Sequence, residues 1–265
     1  MDASRARPAV GRNPRHLRLR MAGVRLALPG RFHEISLATS DIRASVEFYE
    51  RLGFSQAATG DTFSHPYGVL TDGRLPLGLH QRAAALPVAT LTFVRPGVAA
   101  CLAEFTALGI ELTVCRTGDE EFNQIGFEDP FGHGIRIIEA RTYSPAARPA
   151  GEPSLCGEFA EISMPAANFG AAREFWEPLG FVAAARARKP YPHLPLTSDH
   201  LDIAFHRPDT HPAPMIVFRA LDMPERIARL RALGVPESRL PRGLDPQRDA
   251  LLEAAEGTAL LLRHE

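Results

Sequence analysis

The sequence predicts an α+β fold built from four βαβββ modules, paired two by two. Three observations predict it. The chain writes one phrase twice: EISLATSDIRASVEFYERLGF from Glu34 to Phe54, and EISMPAANFGAAREFWEPLGF from Glu161 to Phe181, 127 residues apart. Each copy opens a run that reads strand, helix, strand, strand, strand within roughly fifty residues. The next stretch of each half repeats that order with different words.

The first module begins with the strand FHEISLAT, Phe32 to Thr39. Asp41 is a helix N-cap, because its carboxylate accepts from the free N–H groups of the first turn. Ile42, Ser45, Phe48, Tyr49 and Leu52 recur at helical spacing, and Gly53 ends the helix. Three strands follow in FSQAATG, PYGVLTDG and RLPLGLHQ, the last two joined by a turn at Asp72-Gly73. In the second module, VATLTFV is a strand, and Val98, Cys101, Leu102, Phe105 and Leu108 form a helical face. IELTVCR, FNQIGFEDP and GIRIIEA are its remaining strands, with a turn at Asp129-Pro130-Phe131-Gly132. The segment RTYSPAARPAGEPSLCG is a linker by composition. The scheme then runs again. Asn168 caps a helix bearing Phe169, Ala172, Phe175, Trp176 and Leu179. PHLPLTSDHLDIAFHRP answers YGVLTDGRLPLGLHQR and ends on His206 for His80. In the last module APMIVFRA is a strand, Asp222 is the expected cap of a helix, and TALLLRH closes the chain.

Composition excludes several classes. A chain of 265 residues, 45% hydrophobic and 23% charged, is globular. A net charge of −1 argues against nucleic acid or an anionic membrane as partner. No apolar run reaches the length of a membrane span. Cys101, Cys115 and Cys156 have neither disulfide nor metal spacing, so reduced thiols and a cytoplasmic protein are expected. Residues 1–29 crowd seven arginines, from Arg5 to Arg25, around the single acid Asp2; a disordered extension is expected, with Met21 as an alternative start.

The pattern E-x-S-L-x-x-x-D-x-x-x-S-x-x-F-Y-x-x-L-G-F, with DPFGHGIRIIE at Asp129 to Glu139, resembles the vicinal oxygen chelate superfamily. Glyoxalase I, bleomycin-resistance proteins and extradiol dioxygenases form that group. The resemblance covers residues 32–141 and 158–265 and is weakest in the fourth module. It implies two half-barrel domains, 30–141 and 157–265, joined by the linker 142–156. Each half-barrel is a cup for a small molecule. Four modules in one chain is also the layout of the extradiol dioxygenases.

In the family a metal sits in the cup, held from the first and last strands of each module. The first ligand lies seven residues before the helix cap, which points to Glu34 and Glu161. The resemblance assigns the other slots to Gly78, Ala89 and Arg136 in the first cup, and to Ala204, Pro214 and Leu261 in the second. None of these is a ligand. Strand alternation adds His80 and His206 to the inner faces. Each cup then offers two ligands, Glu34 with His80 and Glu161 with His206, where a catalytic zinc normally has three. No cofactor is therefore expected. Iron, manganese, zinc or nickel would bind only with a third, misplaced ligand.

Arg136 stands where the family often has glutamate. A Glu34–Arg136 pair across the first cup, direct or bridged by an anion, is the expected substitute for the metal. Arg263 is the equivalent partner for Glu161. Arginine in that place suits a substrate carboxylate or phosphate. His65 and Tyr67, matched by Tyr191 and His193, are placed at the cup mouths, where a proline-containing strand should be an edge. A lone His or Tyr on a strand is more often structural. His133 is expected in solvent, and Tyr49 and Trp176 in the core. Three functional readings stay open: a metal-independent binder of a small organic molecule; a metal-dependent dioxygenase, lyase or isomerase; and a structural or assembly protein with filled cups. The expected partner is a small-molecule ligand, with a homodimer allowed.

Overall fold

The computed structural model describes residues 28–59, 63–82, 89–140 and 154–265. The arginine-rich extension up to residue 27, and most of the linker, lie outside the described residues.

Four runs of strand, helix and three strands follow one another. The first comprises β1 (Arg31–Thr39), α1 (Ile42–Arg51), β2 (Ser55–Ala57), β3 (Tyr67–Thr71) and β4 (Pro76–Gln81). The second comprises β5 (Ala89–Arg95), a 3-10 turn leading into α2 (Leu102–Ala107), β6 (Leu112–Arg116), β7 (Gln124–Glu128) and β8 (Gly134–Glu139). The third has β9 (Glu158–Pro165), α3 (Phe169–Trp176), β10 (Val182–Ala183), β11 (His193–Thr197) and β12 (Asp202–His206). The fourth has β13 (Met215–Ala220), α4 (Met223–Ala232), β14 (Glu237–Ser238), β15 (Ala250–Glu253) and β16 (Ala259–His264). The modules pair into two mixed sheets with one order: β2-β3-β4-β1-β5-β8-β7-β6 and β10-β11-β12-β9-β13-β16-β15-β14.

Local chemistry starts the helices. Asp41 accepts from the Ala44 amide at 3.1 Å, and Asn168 from the Gly170 amide at 2.8 Å. Asp222 does not cap in this way; its carboxylate pairs with Arg226 at 2.7 Å, and Pro224 begins the helix instead. The expected edge is also displaced. Pro66 and Pro192 lie just before β3 and β11, and each of those strands is flanked on both sides, β3 by β2 and β4 and β11 by β10 and β12.

Each sheet has a helix side and a cup side, because a strand alternates faces. On the helix side Ile35, Leu37, Leu91, Phe93, Ile162, Phe218 and Leu260 join one core that runs through both halves. Tyr49 and Trp176 are fully buried in it. Two matched contacts cross between the halves. Tyr49 Oη and Ser45 Oγ, from the α1 side, donate to Glu256 in the β15–β16 turn, each at 2.7 Å. Trp176 Nε1, from α3, donates to Asp129 in the β7–β8 turn at 3.3 Å. His133 is not in solvent: it is buried, with Nδ1 2.8 Å from Asp129 Oδ2. The Asp129 turn needs that neighbour, since its carboxylate sits in the core.

Candidate functional site

The cup side of the first sheet holds a polar chain that starts at Glu34. Glu34, Thr92 and Arg136 lie abreast on β1, β5 and β8. The Glu34 carboxylate is buried and lies flat on Gly78, where a Cβ would overlap it. Its Oε1 accepts from Ser36 Oγ at 2.7 Å, and its Oε2 from Tyr67 Oη at 2.7 Å. His80 Nε2 is 3.4 Å from Oε1. Ser36 also meets Thr92, with 2.7 Å between the hydroxyls. His80 Nδ1 lies 2.9 Å from His65 Nε2, and Arg82 Nε donates to the same His65 nitrogen at 3.4 Å. Burial alone would raise the Glu34 pKa. The bonds from His80, Ser36 and Tyr67 and the nearby His33 outweigh it and hold the carboxyl below its ordinary range.

Beside this chain opens the cup. One pocket of about 490 Å³ takes in Glu34, His65, Tyr67, Arg82, Arg116 and Arg136. An adjoining one of about 320 Å³ reaches Ser36, His80 and Thr90. Tyr67 on β3 and Arg116 on β6 belong to opposite ends of the sheet and line the same space, so the sheet is rolled. Phe63 and Phe122 stand exposed at its rim. Arg136 is half-buried and makes no hydrogen bond or ion pair among the described residues. Burial first, then repulsion from Arg82 and Arg116, holds its pKa below the ordinary guanidinium value, against the pull of Glu34. Burial and the charges of Arg82, His80 and Arg136 lower that of His65.

The expected direct Glu34–Arg136 pair is not formed. The carboxylate has taken Ser36, Tyr67 and His80 instead, which are closer along the same face. Ala89 is also misplaced. It shares the helix side with Leu91 and Phe93, and Thr90 and Thr92 take the inward positions. The cup floor is therefore polar. Thr92 pairs with Glu34, Thr90 with Ser36 and Ala89 with Leu37, so alternation along a regular ladder turns the two threonines inward and Ala89 away. Ser36, Thr90, Thr92, Arg82 and Arg116 were missed. Ser36 and Arg82 were findable, each two residues beyond a named inward residue.

The second cup is different. Tyr191, Met215, Val217, Leu251, Ala259 and Leu261 fill it as a separate apolar cluster. Met215 and Val217 face inward, so Pro214 is out of phase. Glu161 is buried, and its nearest cation is Arg219, 3.9 Å away, in place of the expected Arg263. His206 does not meet Glu161. It is fully buried, with Nδ1 2.8 Å from Ser163 Oγ and Nε2 2.9 Å from the His211 carbonyl. Burial, against the His211 bond, lowers its pKa to about 4. His193 turns back onto the Tyr191 carbonyl at 2.9 Å.

The metal centre implied by the resemblance does not fit these residues. Glu34 and His80 spend their donor atoms on each other and on Ser36, Tyr67 and His65. Arg136 and Arg82 bring positive charge to the place a cation would occupy. Among the described residues no three of His, Cys, Asp and Glu converge. Nor is any helix among them long and apolar enough to cross a membrane.

Residues 31–137 match the model of the Glyoxalase/Bleomycin resistance protein/Dioxygenase superfamily. No curated protein matches the chain. Solved structures do. The 2,3-dioxygenase LapB from Pseudomonas sp. KL28 superposes with TM-score 0.61 at 15% identity, covering 89% of this chain and 92% of that one. A catechol 2,3-dioxygenase gives 0.60 at 14%, covering 89% and 87%. Homoprotocatechuate 2,3-dioxygenase from B. fuscum gives 0.60 at 15%, covering 89% and 71%. At this identity the likeness is one of fold. Residues 31–137, less than half of the chain, are thus similar to the Glyoxalase/Bleomycin resistance protein/Dioxygenase superfamily, and the two sheets together have the fold of the extradiol dioxygenases.

Proposed function

We propose that the first cup binds a small organic acid without a metal. One observation carries this reading: Arg136 faces the cup with no hydrogen-bond or ion-pair partner among the described residues, between Arg82 and Arg116. Glu34, the buried carboxylate beside it, is already held by Ser36, Tyr67 and His80. A cationic cleft with unspent guanidinium donors suits a ligand carboxylate. Phe63 and Phe122 at the rim, with Tyr67 inside, suit an aromatic or apolar body. Arg136 takes the acid group, and Arg82 and Arg116 complete the field. His65 and His80 hold the wall between them, and Glu34 orients His80 and Tyr67.

The test is calorimetric titration with benzoate, 4-hydroxybenzoate, succinate and benzamide. An aromatic acid should bind, its neutral amide at least about tenfold more weakly, and Arg136→Met should cost a similar factor. Equal binding of acid and amide, or no binding of any acid, overturns the reading.

A further inference from the structure

The second sheet carries a cationic mouth that the first cup's ligand does not use. Its cup floor is filled by Met215, Val217, Leu251 and Leu261. Two residues further along β13 and β16 stand Arg219 and Arg263, register partners on neighbouring parallel strands. Like charges at matched positions repel. The carboxylate beside them, Glu161, reaches only Arg219, and only at 3.9 Å. Arg263 makes no ion pair among the described residues, and the Nε atoms of both arginines are buried without an acceptor. Buried donors without acceptors are rare, so each asks for an explanation. Arg263 opens on a pocket of about 540 Å³ shared with Lys189, Pro190 and Gly243. Gly243 packs on the Pro190 carbonyl, leaving no room for a Cβ, so the two loops that frame this mouth are locked together.

We infer that the mouth of the second cup is a second anion site, in which Arg263 and Arg219 with Lys189 take a small oxyanion, a carboxylate or a phosphate. Arginine binds oxyanions through paired donors and lysine as a point charge. The oxyanion supplies the negative charge that Glu161 alone does not, and relieves the repulsion across β13 and β16. The filled floor confines the occupant to the head group, with the remainder of the molecule in solvent. The site is independent of the first cup, and either can fail alone.

The experiment uses the full chain carrying Arg136→Met, titrated with inorganic phosphate at low ionic strength. One site should remain. Adding Arg263→Met should weaken it at least about tenfold, and adding Lys189→Met, in an exposed loop, about threefold. If Arg263→Met does not fold, Arg263→Lys keeps the charge and should still weaken binding about threefold through the lost paired donors. Arg43→Met, on the exposed face of α1, is the control and should change nothing. Absence of phosphate binding in the Arg136→Met chain overturns the site. So does binding within about twofold of that chain's in the Arg263 and Lys189 variants, or an equal loss in the Arg43 control.

Discussion

At the scale of single residues, Glu34 and Arg136 carry opposite roles although they share one face. Glu34 is a buried charge with three donors, so removing it strands Tyr67, Ser36 and His80 together. Glu34→Ala should cost about 3–5 kcal/mol in denaturant unfolding. Arg136 has no hydrogen-bond or ion-pair partner among the described residues and is repelled by Arg82 and Arg116. Arg136→Met should leave stability within about 1 kcal/mol of the parent, or raise it, while ligand affinity falls. A large loss of stability in Arg136→Met would mean that the guanidinium is held by the protein and is not free for a ligand. His206 supplies a pH prediction. Its imidazole is fully buried and its pKa falls from 6.5 to about 4. The unfolded chain therefore binds more protons than the folded one between those values. The stability this neutral ring contributes is complete above pH 6.5 and is lost as pH falls toward 4. Between pH 7.5 and 5 it should amount to roughly 2 kcal/mol. His206→Gln cannot titrate, and unfolding at both pH values should show a shallower slope; an unchanged slope sinks the assignment.

At the scale of elements, the two halves are held by their helices reaching into each other's turns. Tyr49 on α1 donates to Glu256 between β15 and β16, and burial, followed by the Glu256 charge, raises its pKa well above the ordinary phenol value. The phenol therefore stays protonated and remains a donor across the neutral range. Tyr49→Phe keeps the packing and removes the bond to a charged acceptor. It should cost about 1.5–3 kcal/mol. Trp176, the chain's single tryptophan, sits at the matching contact with Asp129. Its fluorescence should report loosening of the pair of halves, so the Tyr49→Phe loss is read by that signal and by circular dichroism in parallel. Coincident transitions are expected, since one apolar core runs through both halves. Two separated transitions would show that the sheets unfold independently.

At the scale of the whole molecule, one fold has been used in two ways. The first cup keeps a polar floor and open volume, while the second is packed with side chains. Titration with an aromatic acid should therefore give one equivalent that Arg136→Met weakens, while any acid held at the mouth of the second cup is weakened by Arg263→Met instead. A chelator should leave the thermal midpoint unchanged, since the cup's donor atoms are spent on hydrogen bonds. A second equivalent of acid that survives Arg263→Met would show that the second cup opens. A chelator-induced fall in the midpoint would show a metal held by residues other than those described in the first cup.

Much of this architecture is legible in the sequence, for a physical reason. The four modules follow from periodicities of two and 3.6 and from the Asp41 and Asn168 caps, all set by local backbone chemistry. Glu34 and Glu161 were placed by the family resemblance, which counts back from those caps, and the burial of Tyr49 and Trp176 by helical spacing. The corrections share another origin. Alternation says which residues of one strand share a face, but which residue of the next strand stands opposite Glu34 or Glu161 is set by the pairing of the strands. That moved Ala89 and Pro214 out of the cups and brought in Thr90, Thr92 and Met215. The sequence also shows one Glu and one His in each cup, with nothing to tell the cups apart. Only the tertiary structure decided that Ser36, Tyr67 and His80 satisfy Glu34 and leave Arg136 unspent, and that the second cup is closed. Those outcomes rest on groups brought together from distant strands and loops, as when Tyr191 and Leu244 reach Leu261, and no local pattern encodes the volume they fill.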